Sequence, residues 1–453
     1  MTRQFKIGDF LKRIKNQIDI NDSVKYKRVT VSGNHNGVSL RDEVLGSAIG
    51  TKKQFTIKRG NFILSKIDAR NGAFGIIPAE LDNAIITGNF WTYSVDTKLI
   101  DIEWFFYFTH SYNFIQICIE SSTGSTHRKY MDEKVFLNHK IILPEIVEQK
   151  EMVKKYKNSS KISNNLTSEI QTQKQLLTQL KQSILQEAIQ GKLTADWRKQ
   201  NPNAEPASEL LNRIKAEKAQ LIKDKKIKKE KALPPITAEE IPFELPEGWV
   251  WCRLGEISTY LNGKGFNSTD FKKNIGVKCI KITNAGVGEI IETDDTLPIE
   301  FENEYSAYLV YENDIVIALT RPYIADGLKV SLCPESYNKS LLNQRVAVVR
   351  ASSNVQNKYI YKYLKTKFVL DGYKREFDST GQQPNLKTEH VTNLIFPLAP
   401  VEEQKAIVEK VEILMQKCQA LEQKIKTSEA NAQMLMQAVL KEAFEGKQEV
   451  VEV

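Results

Sequence analysis

The sequence predicts a mixed α/β (α+β) fold in which one pattern occurs twice: a block with small β-sheets followed by a long helix. The first observation behind this prediction is an internal repeat. The segment LQEAIQGK at 185–192 returns as LKEAFEGK at 440–447, and EQK at 148–150 returns at 403–405, both 255 residues later. The other two observations are a heptad pattern inside the repeated segments and short β-branched runs between them.

Each repeated segment predicts a long helix that pairs with another helix. Apolar and small residues at alternating spacings of four and three are typical of the a/d seam of a left-handed coiled coil. At 1.5 Å per residue, each helix would be roughly 65 Å long. Two ordinary core helices are the alternative, but the length of the seam favours a coiled coil. The seam positions are Met152, Tyr156, Ser159, Ser163, Leu166, Ile170, Gln173, Leu177, Leu180 and Ile184, then Ile407, Val411, Leu414, Cys418, Leu421, Ile425, Ser428, Ala432, Leu435 and Val439.

The two intervening blocks predict small sheets. Short β-branched runs such as FILS at 62–65 and IVIA at 315–318 each follow a turn-forming Asn or Asp. Helices are expected near 101–110 and 357–370. The predicted boundaries are 1–147 for the first block, 148–197 for the first long helix, 198–248 for a basic helical linker, 249–400 for the second block and 401–453 for the second long helix.

Length and composition limit the class of protein. The 453 residues can form two to four domains. A formal charge of +8 permits nucleic-acid binding without establishing it. The chain lacks an apolar run of the ~18–20 residues that a membrane helix needs, and its start lacks an apolar signal core. The five cysteines are scattered, so we expect reduced thiols in a cytoplasmic protein.

Sequence motifs of several enzyme classes are absent. The chain contains no GxxxxGK[ST], no HExxH, no GxSxG and no [NDS]PP[YF] tetrapeptide of amino-methyltransferases. Its five histidines never occur at a metal-ligand spacing. We therefore expect a binding protein that holds neither a metal nor a cofactor of its own.

Three segments carry a family resemblance. They are LPEGWVWCRLGEI at 245–257, PLAPVEEQKAI at 397–407 and LKQSILQEAIQGKL at 180–193. With the repeat, they make the chain resemble the specificity (S) subunit of type I restriction–modification systems over essentially its whole length. The first block departs from the family pattern. It starts at FKIG, 5–8, without the LPxGW lead, and it enters its helix through a degraded PEIVEQK, 144–150.

The resemblance implies a non-catalytic DNA-binding function. Each block would be a target-recognition domain that reads one half of a bipartite, asymmetric double-stranded DNA site. The two long helices would pack as an antiparallel coiled coil and set the gap between the half-sites. Methyltransferase (M) subunits, two in the usual assembly, would bring S-adenosylmethionine and methylate N6 of an adenine in each half-site. Restriction/translocase (R) subunits would join for cleavage.

Four loops carry side chains suited to DNA. Arginine can pair with guanine and Asn or Gln with adenine through two hydrogen bonds each. Lys264, Lys281 and Arg28 are candidate phosphate contacts. Each loop residue could instead be solvated or contact phosphate. The candidates are Lys66, Arg70 and Asn71; Thr126, His127, Arg128 and Lys129; Arg321 and Tyr323; and Gln382, Gln383, Asn385 and Lys387.

Two alternatives remain open at the level of sequence. A stand-alone DNA-binding regulator with two recognition modules would share these features, and an enzyme with an unrecognised site is a third possibility. The basic run at 223–231 is best interpreted as a solvated helix face. A phosphate-binding or subunit-docking face is the alternative interpretation.

Overall fold

The computed structural model describes residues 3–125, 128–224, 232–324, 327–378 and 383–444. Contacts divide the chain into two units. Unit 1 comprises Met1–Gln171 and Lys426–Val453, and unit 2 comprises Thr172–Ile425. Helices and small sheets are both present in each unit, so the predicted mixed α/β class is confirmed.

Unit 1 builds two main sheets from the first block. The strands are β1 Arg3–Lys6, β2 Leu11–Ile14, β3 Gln17–Asp19, β4 Lys25–Val31, β5 Val38–Leu45, β6 Lys53–Thr56, β7 Phe62–Ser65, β8 Phe74–Ile76, β9 Ile85–Ile86, β10 Phe90–Val95, β11 Ser122–Ser125, β12 Arg128–Met131 and β13 Lys140–Leu143. The helices are α1 Ile7–Phe10, α2 Ile102–Phe108, α3 Tyr112–Glu120, α4 Glu133–Asn138 and the long α5 Ile146–Ile189, which continues into unit 2. One sheet has the order β2-β10-β7-β8 and the other β3-β6-β9-β4-β5.

Aromatic packing forms the core of unit 1. Phe62 on β7 contacts Phe105 of α2 with ring centroids 5.0 Å apart, and Phe74 on β8 contacts Phe114 of α3 at 5.1 Å, both edge to face. All four rings are buried. Such pairs add to the free energy gained from burial alone. The core therefore fixes β7, whose C-terminal end carries the first candidate loop.

Unit 2 builds the second block and the linker. Its further helices are α6 Ala195–Gln200, α7 Ala207–Lys223, α8 Leu254–Ile257, α9 Phe301–Glu304, α10 Asn357–Leu364, α11 Lys367–Asp378, α12 Thr388–Thr392 and the long α13 Val401–Phe444, which continues into unit 1. Its strands are β14 Val250–Arg253, β15 Ser258–Asn262, β16 Lys272–Lys273, β17 Val277–Ile280, β18 Asp295–Leu297, β19 Leu309–Val310, β20 Ile315–Ala318, β21 Tyr323–Ile324, β22 Gly327–Leu328, β23 Val330–Leu332, β24 Ser340–Leu342, β25 Val346–Ala351 and β26 Ile395–Leu398.

The strand order of unit 1 recurs in unit 2. The sheet β15-β25-β20-β23 has the connectivity of β2-β10-β7-β8, and the pair β14-β26 corresponds to β1-β13. The first block forms its opening strand although it lacks the LPxGW lead, because β1 pairs along its whole length with β13. A second sheet, β16-β18-β17-β24-β19, accompanies the four-stranded one.

The long helices run antiparallel where unit 2 contains them. Lys181 of α5 donates to Glu422 of α13 at 2.7 Å, and Arg198 of α6, the short helix that follows α5, pairs with Glu403 in the first turn of α13. From the first contact to the second, the residue number rises from 181 to 198 on one side and falls from 422 to 403 on the other. The predicted antiparallel pairing is thus confirmed in this unit.

The predicted seam is buried along one of its two lines. On one line, most residues one heptad apart are buried, whereas on the alternate line Ile407 alone is buried and the other positions are partly or fully exposed. Leu180 and Leu421, both predicted seam residues, are 44% and 45% exposed. A pair of helices covers only a narrow stripe of each partner, so the second line stays open. The buried seam positions are Ser163, Ile170, Leu177, Ile184, Ile407, Val411, Cys418 and Ala432.

The repeated EQK motif fastens each long helix to its block. Gln149 is fully buried; its amide donates to Pro144 O at 2.8 Å, and its Oε1 accepts from the N-cap of α2, Asp101 N, at 2.7 Å. Gln404 is equally buried and donates to Ala399 O at 2.8 Å, while its Oε1 accepts from the N-cap of α10. In both copies, the side-chain N–H group and Oε1 of the buried glutamine each have a hydrogen-bond partner. This shared arrangement explains why the short motif recurs.

The linker is anchored by one buried arginine. Arg253 is 4% exposed and donates to the carbonyls of Pro234 and Pro235 and to the Glu240 carboxylate. Before it, α7 ends at Lys223. Of the basic run at 223–231, all but the first two residues lie outside the described part of the chain.

Candidate nucleic-acid interface

Unit 1 brings two of the predicted loops together. Met131 N on β12 donates to Lys66 O just after β7 at 2.8 Å, and Arg70 Nη1 donates to Lys129 O at 3.3 Å. The Lys66 ammonium lies 6.0 Å from the ring centre of Tyr130. Lys66, Arg70, Asn71 and Lys129 therefore form one surface, called here the unit 1 patch.

The backbone of the 66–72 loop is held from its other side as well. The turn between β4 and β5 donates Asn34 N to Asn71 O at 2.7 Å and His35 N to Gly72 O at 3.2 Å. Gly72 has φ +78°, and a Cβ there would lie 2.8 Å from His35 N. Glycine is therefore required, because only it adopts this backbone and leaves room for the turn.

Two histidines next to the 66–72 loop add no charge to the unit 1 patch. His35 stacks on His110 with ring centroids 4.9 Å apart. Burial lowers the pKa of both imidazoles, and His110 lowers that of His35 further. Both rings are thus neutral at pH 7, and the positive charge of the patch comes from its lysines and arginine.

Three of the predicted residues fall outside the described ones. Thr126, His127 and Gln382 are not described, and of Arg128 only the backbone is, paired with Ser125 across β11 and β12. Their predicted roles stay predictions.

Unit 2 brings the other two loops together in the same way. Leu386 N donates to Leu319 O at 2.7 Å, and Arg321 N donates to Pro384 O at 3.0 Å. Thr320 and Asn385 form a β-bridge between the two segments. The segments border an open cleft of ≈1050 Å³, called here the unit 2 cleft.

Charge in the unit 2 cleft is predominantly positive. Arg321, Lys329 and Arg345 line it, with Glu289 as the one acidic lining residue among those described. In the described part of the chain, none of these three cations has a carboxylate within 4.0 Å. Unpaired cations beside neutral hydrogen-bonding groups suit a polyanion whose bases also offer hydrogen bonds.

Three of the described unit 2 residues that the sequence predicted line the cleft and two do not. Gln383 and Asn385 line it beside Arg321. Tyr323 is half-buried and packs against the main core of unit 2. Lys387 is exposed at the N-cap of α12, where its backbone N–H donates to His390 Nδ1.

Arg345 and Lys329 are cleft residues that sequence reasoning missed. Arg345 is exposed and immediately precedes β25, and its φ of +68° is matched by +48° at Arg321. Left-handed backbone at a residue with a Cβ costs about 1–3 kcal/mol and concentrates at functional sites. A basic residue directly before a buried strand is the only signal that the sequence offers for Arg345.

The three candidate phosphate contacts differ in how strongly they are held. Arg28 makes two hydrogen bonds of 2.7 Å to Asp42, and Lys281 pairs with Asp295. The hydrogen bond from Arg28 lowers the pKa of the Asp42 carboxyl. Lys264 lies 4.8 Å from the ring centre of Tyr305.

Other chemistries find no support in the described residues. They contain no group of three or more His, Cys, Asp or Glu that could hold a metal ion. The cysteines are free and buried. None of the described helices combines the length and the apolar character needed to cross a membrane.

Comparisons with solved structures give the fold. A chain from a study of complex assembly and conformational transition of the type I R-M system superposes with a TM-score of 0.65 at 18% identity, covering 99% of this chain and 98% of that one. The HsdS subunit from Thermoanaerobacter tengcongensis superposes with a TM-score of 0.57 at 16% identity, covering 99% and 97%.

Sequence comparisons point the same way. The EcoAI specificity subunit of Escherichia coli is 42% identical over 255 residues, which is 55% of this chain but only 41% of that protein. The MjaVIII specificity subunit of Methanocaldococcus jannaschii is 25% identical over 414 residues, covering 90% and 84%. A model of the type I restriction modification DNA specificity domain matches residues 2–176 and 246–428. This match covers well over half of the sequence, and the chain therefore belongs to the type I restriction modification DNA specificity family.

Proposed function

We propose that this chain is the specificity subunit of a type I restriction–modification complex and reads DNA without catalysing a reaction itself. The observation that carries the proposal is that units 1 and 2 build the same pair of loops at the ends of equivalent strands, β7 and β20, and place different side chains on them. Equivalent loops that carry different side chains suit a bipartite, asymmetric double-stranded DNA site, in which each unit reads one half.

Chemistry in this proposal comes from partner subunits in the cytoplasm. Two methyltransferase subunits would carry S-adenosylmethionine, flip an adenine out of each half-site and methylate its N6. Restriction/translocase subunits would join for cleavage of unmodified DNA. A chain of charge +8, only mildly basic for its length, fits a subunit that supplies specificity and gains affinity from its partners.

Exposed apolar residues of the helix pair form the proposed docking surface for the methyltransferase subunits. Leu176 and Leu180 on α5 and Ile413 and Leu421 on α13 are each at least 44% exposed. Leu180 and Leu421 are seam positions, and Leu176 and Ile413 lie beside the seam. Exposure of several large apolar side chains on one pair of helices is costly in water and is typical of a surface that a partner covers.

A single substitution tests the assignment of one half-site to each unit. The chain would be co-expressed with its methyltransferase subunits in a host without adenine methylation, and methylated motifs read by long-read sequencing. Arg321→Ala should weaken discrimination at one base position of one half-site by about 5- to 150-fold, the worth of a two-hydrogen-bond contact. An equal loss at both half-sites would contradict the assignment.

Purification separates the proposal from its alternatives. A stable complex with methyltransferase subunits encoded beside this chain supports a specificity subunit. Sequence-specific DNA binding by the isolated chain, with no such partner, would instead identify a stand-alone regulator with two recognition modules. Methyl transfer by the purified chain alone would identify an enzyme.

A further inference from the structure

The two candidate interfaces share a backbone frame that aligns them residue by residue. Three hydrogen bonds define it. In unit 1, Ser65 N donates to Ala73 O at 2.9 Å, Lys66 N to Asn89 O at 3.0 Å and Met131 N to Lys66 O at 2.8 Å.

The same three hydrogen bonds recur in unit 2. Ala318 N donates to Lys329 O at 3.0 Å, Leu319 N to Arg345 O at 2.9 Å and Leu386 N to Leu319 O at 2.7 Å. The register of the strands agrees, since Phe90 lies opposite Ser65 and Val346 lies opposite Ala318. The frame therefore places Asn89 and Arg345 at matched positions.

Asn89 and Arg345 occupy the same structural place. Each is exposed and immediately precedes an inner strand of its sheet, β10 or β25. The carbonyl of each accepts a hydrogen bond from the residue that follows β7 or β20. The carbonyl hydrogen bond fixes the backbone and leaves the side chain beside the candidate loop. Neither position was singled out by the sequence.

The side chains at the two matched positions, Asn89 and Arg345, differ, and each type suits a different base. Arginine donates two hydrogen bonds to guanine O6 and N7, whereas asparagine pairs with adenine N6 and N7. Arg345 opens into the unit 2 cleft beside Arg321 and has no carboxylate within 4.0 Å among the described residues. Its left-handed backbone, φ +68°, is unfavourable for a residue with a Cβ.

We propose that Asn89 and Arg345 are matched specificity-determining residues, with Arg345 reading a guanine in one half-site and Asn89 an adenine in the other. This inference rests on the proposed function and deepens it. A phosphate contact at Arg345 is the competing role, and it makes a different prediction, because a lost phosphate contact weakens binding to all sequences alike.

The test uses the full methyltransferase complex in a host without adenine methylation, with motifs read by long-read sequencing. Arg345→Ala should relax one base position of one half-site by about 5- to 150-fold and leave the other half-site unchanged. Asn89→Ala should relax one position of the other half-site. Asn89→Arg should change the preference at that position from adenine to guanine.

A matched control separates base reading from loop strain. Lys339 is also exposed in unit 2 with left-handed backbone, φ +61°, but does not line the cleft. Lys339→Ala should leave the motif and the methylation level unchanged. Size-exclusion chromatography of each variant complex verifies assembly, so a variant that fails to fold is recognised, and Arg345→Lys then replaces Arg345→Ala as the milder change.

The outcomes distinguish this inference from the proposed function. Arg345→Ala complexes that methylate the unaltered motif more slowly at every site would overturn base reading in favour of a phosphate contact. Relaxation of both half-sites by one substitution would overturn the matching of positions. A wild-type complex that leaves the host DNA unmethylated and binds no specific sequence would overturn the proposed function itself.

Discussion

Glu403 is the buried charge on which the junction of the long helices in unit 2 depends. Its carboxylate is fully buried and accepts hydrogen bonds from Thr194 at 2.6 Å, Trp249 Nε1 at 2.8 Å and the Arg198 guanidinium. These donors come from the end of the first helical segment and from the start of the second block. One side chain thereby joins three separate stretches of the sequence.

Replacing Glu403 should destabilise unit 2 strongly. Glu403→Ala leaves the Arg198 guanidinium and the indole N–H without their acceptor, and loss of one partner of a buried pair costs about 3–5 kcal/mol. The matched control is Glu148→Ala, the same position of the first repeat, because Glu148 is exposed. Urea unfolding of the full chain measures both, and equal midpoints for the two variants would refute this account.

The Glu240 carboxyl should make the stability of unit 2 depend on pH. Hydrogen bonds from Arg253, and then from the Thr237 backbone, lower its pKa from 4.5 to about 2. A carboxyl with a pKa depressed on folding stabilises the protein fully above pH 4.5 and loses this contribution as the pH falls toward 2.

The comparison of two proteins isolates the contribution of Glu240. The midpoint of urea unfolding of the wild type should fall more steeply between pH 5 and pH 2 than that of Glu240→Gln, which cannot ionise at this position. Above pH 5 the two curves should run parallel, with the wild type more stable. Parallel curves over the whole range would show that the Arg253 contact does not act through ionisation.

Individual site residues could be predicted from the sequence only in part. Arg321 was predicted because it follows the strand at 315–318, and Asn385 because it follows STG at 379–381, which repeats STG at 122–124. The structure places both residues along the unit 2 cleft. Arg345 could not be predicted, because its place depends on a left-handed backbone and on a hydrogen bond to a distant residue. Neither leaves a periodic signal in the chain.

At the scale of elements, strands and helices that depend on the pattern of one segment were predictable. The burial of a helix surface, which depends on the neighbouring helices, was not. The strands β7 and β20 follow from β-branched and aromatic runs after a turn residue, and both are buried throughout. The heptad period predicts α5 and α13. It does not tell which line of the seam is covered, because that depends on how many helices meet there, and Leu180 remains exposed.

At the scale of the whole molecule, the repeat of 255 residues predicts two similar domains, since equal sequence segments build equal elements. The division of the chain by contacts differs from the division that composition predicts. The division between units falls at Gln171 and Ile425, inside both long helices, so each unit holds one block and a part of each helix. The compositional boundaries at 147, 197, 248 and 400 remain a prediction. The helices nevertheless connect the two blocks, and this gives their length a proposed function.

Removing one heptad from each long helix tests whether helix length sets the half-site gap. Deleting 173–179 from α5 together with 424–430 from α13 preserves the contact of Lys181 with Glu422 and the heptad phase. Seven helical residues rise about 10 Å, so the gap should shorten by about three base pairs at 3.4 Å each.

Two results of this double deletion would agree with the hypothesis that helix length sets the half-site gap. Long-read sequencing of methylated DNA should detect either the shortened gap or a loss of methylation, since three base pairs also rotate one half-site by about 100° relative to the other. Deleting only 173–179 is the control and should prevent assembly, because it shifts one helix against its partner. A double-deletion complex that methylates the original motif at the original gap would refute the hypothesis that helix length sets the gap, since the recognition loops would then find their half-sites independently of the helices between them.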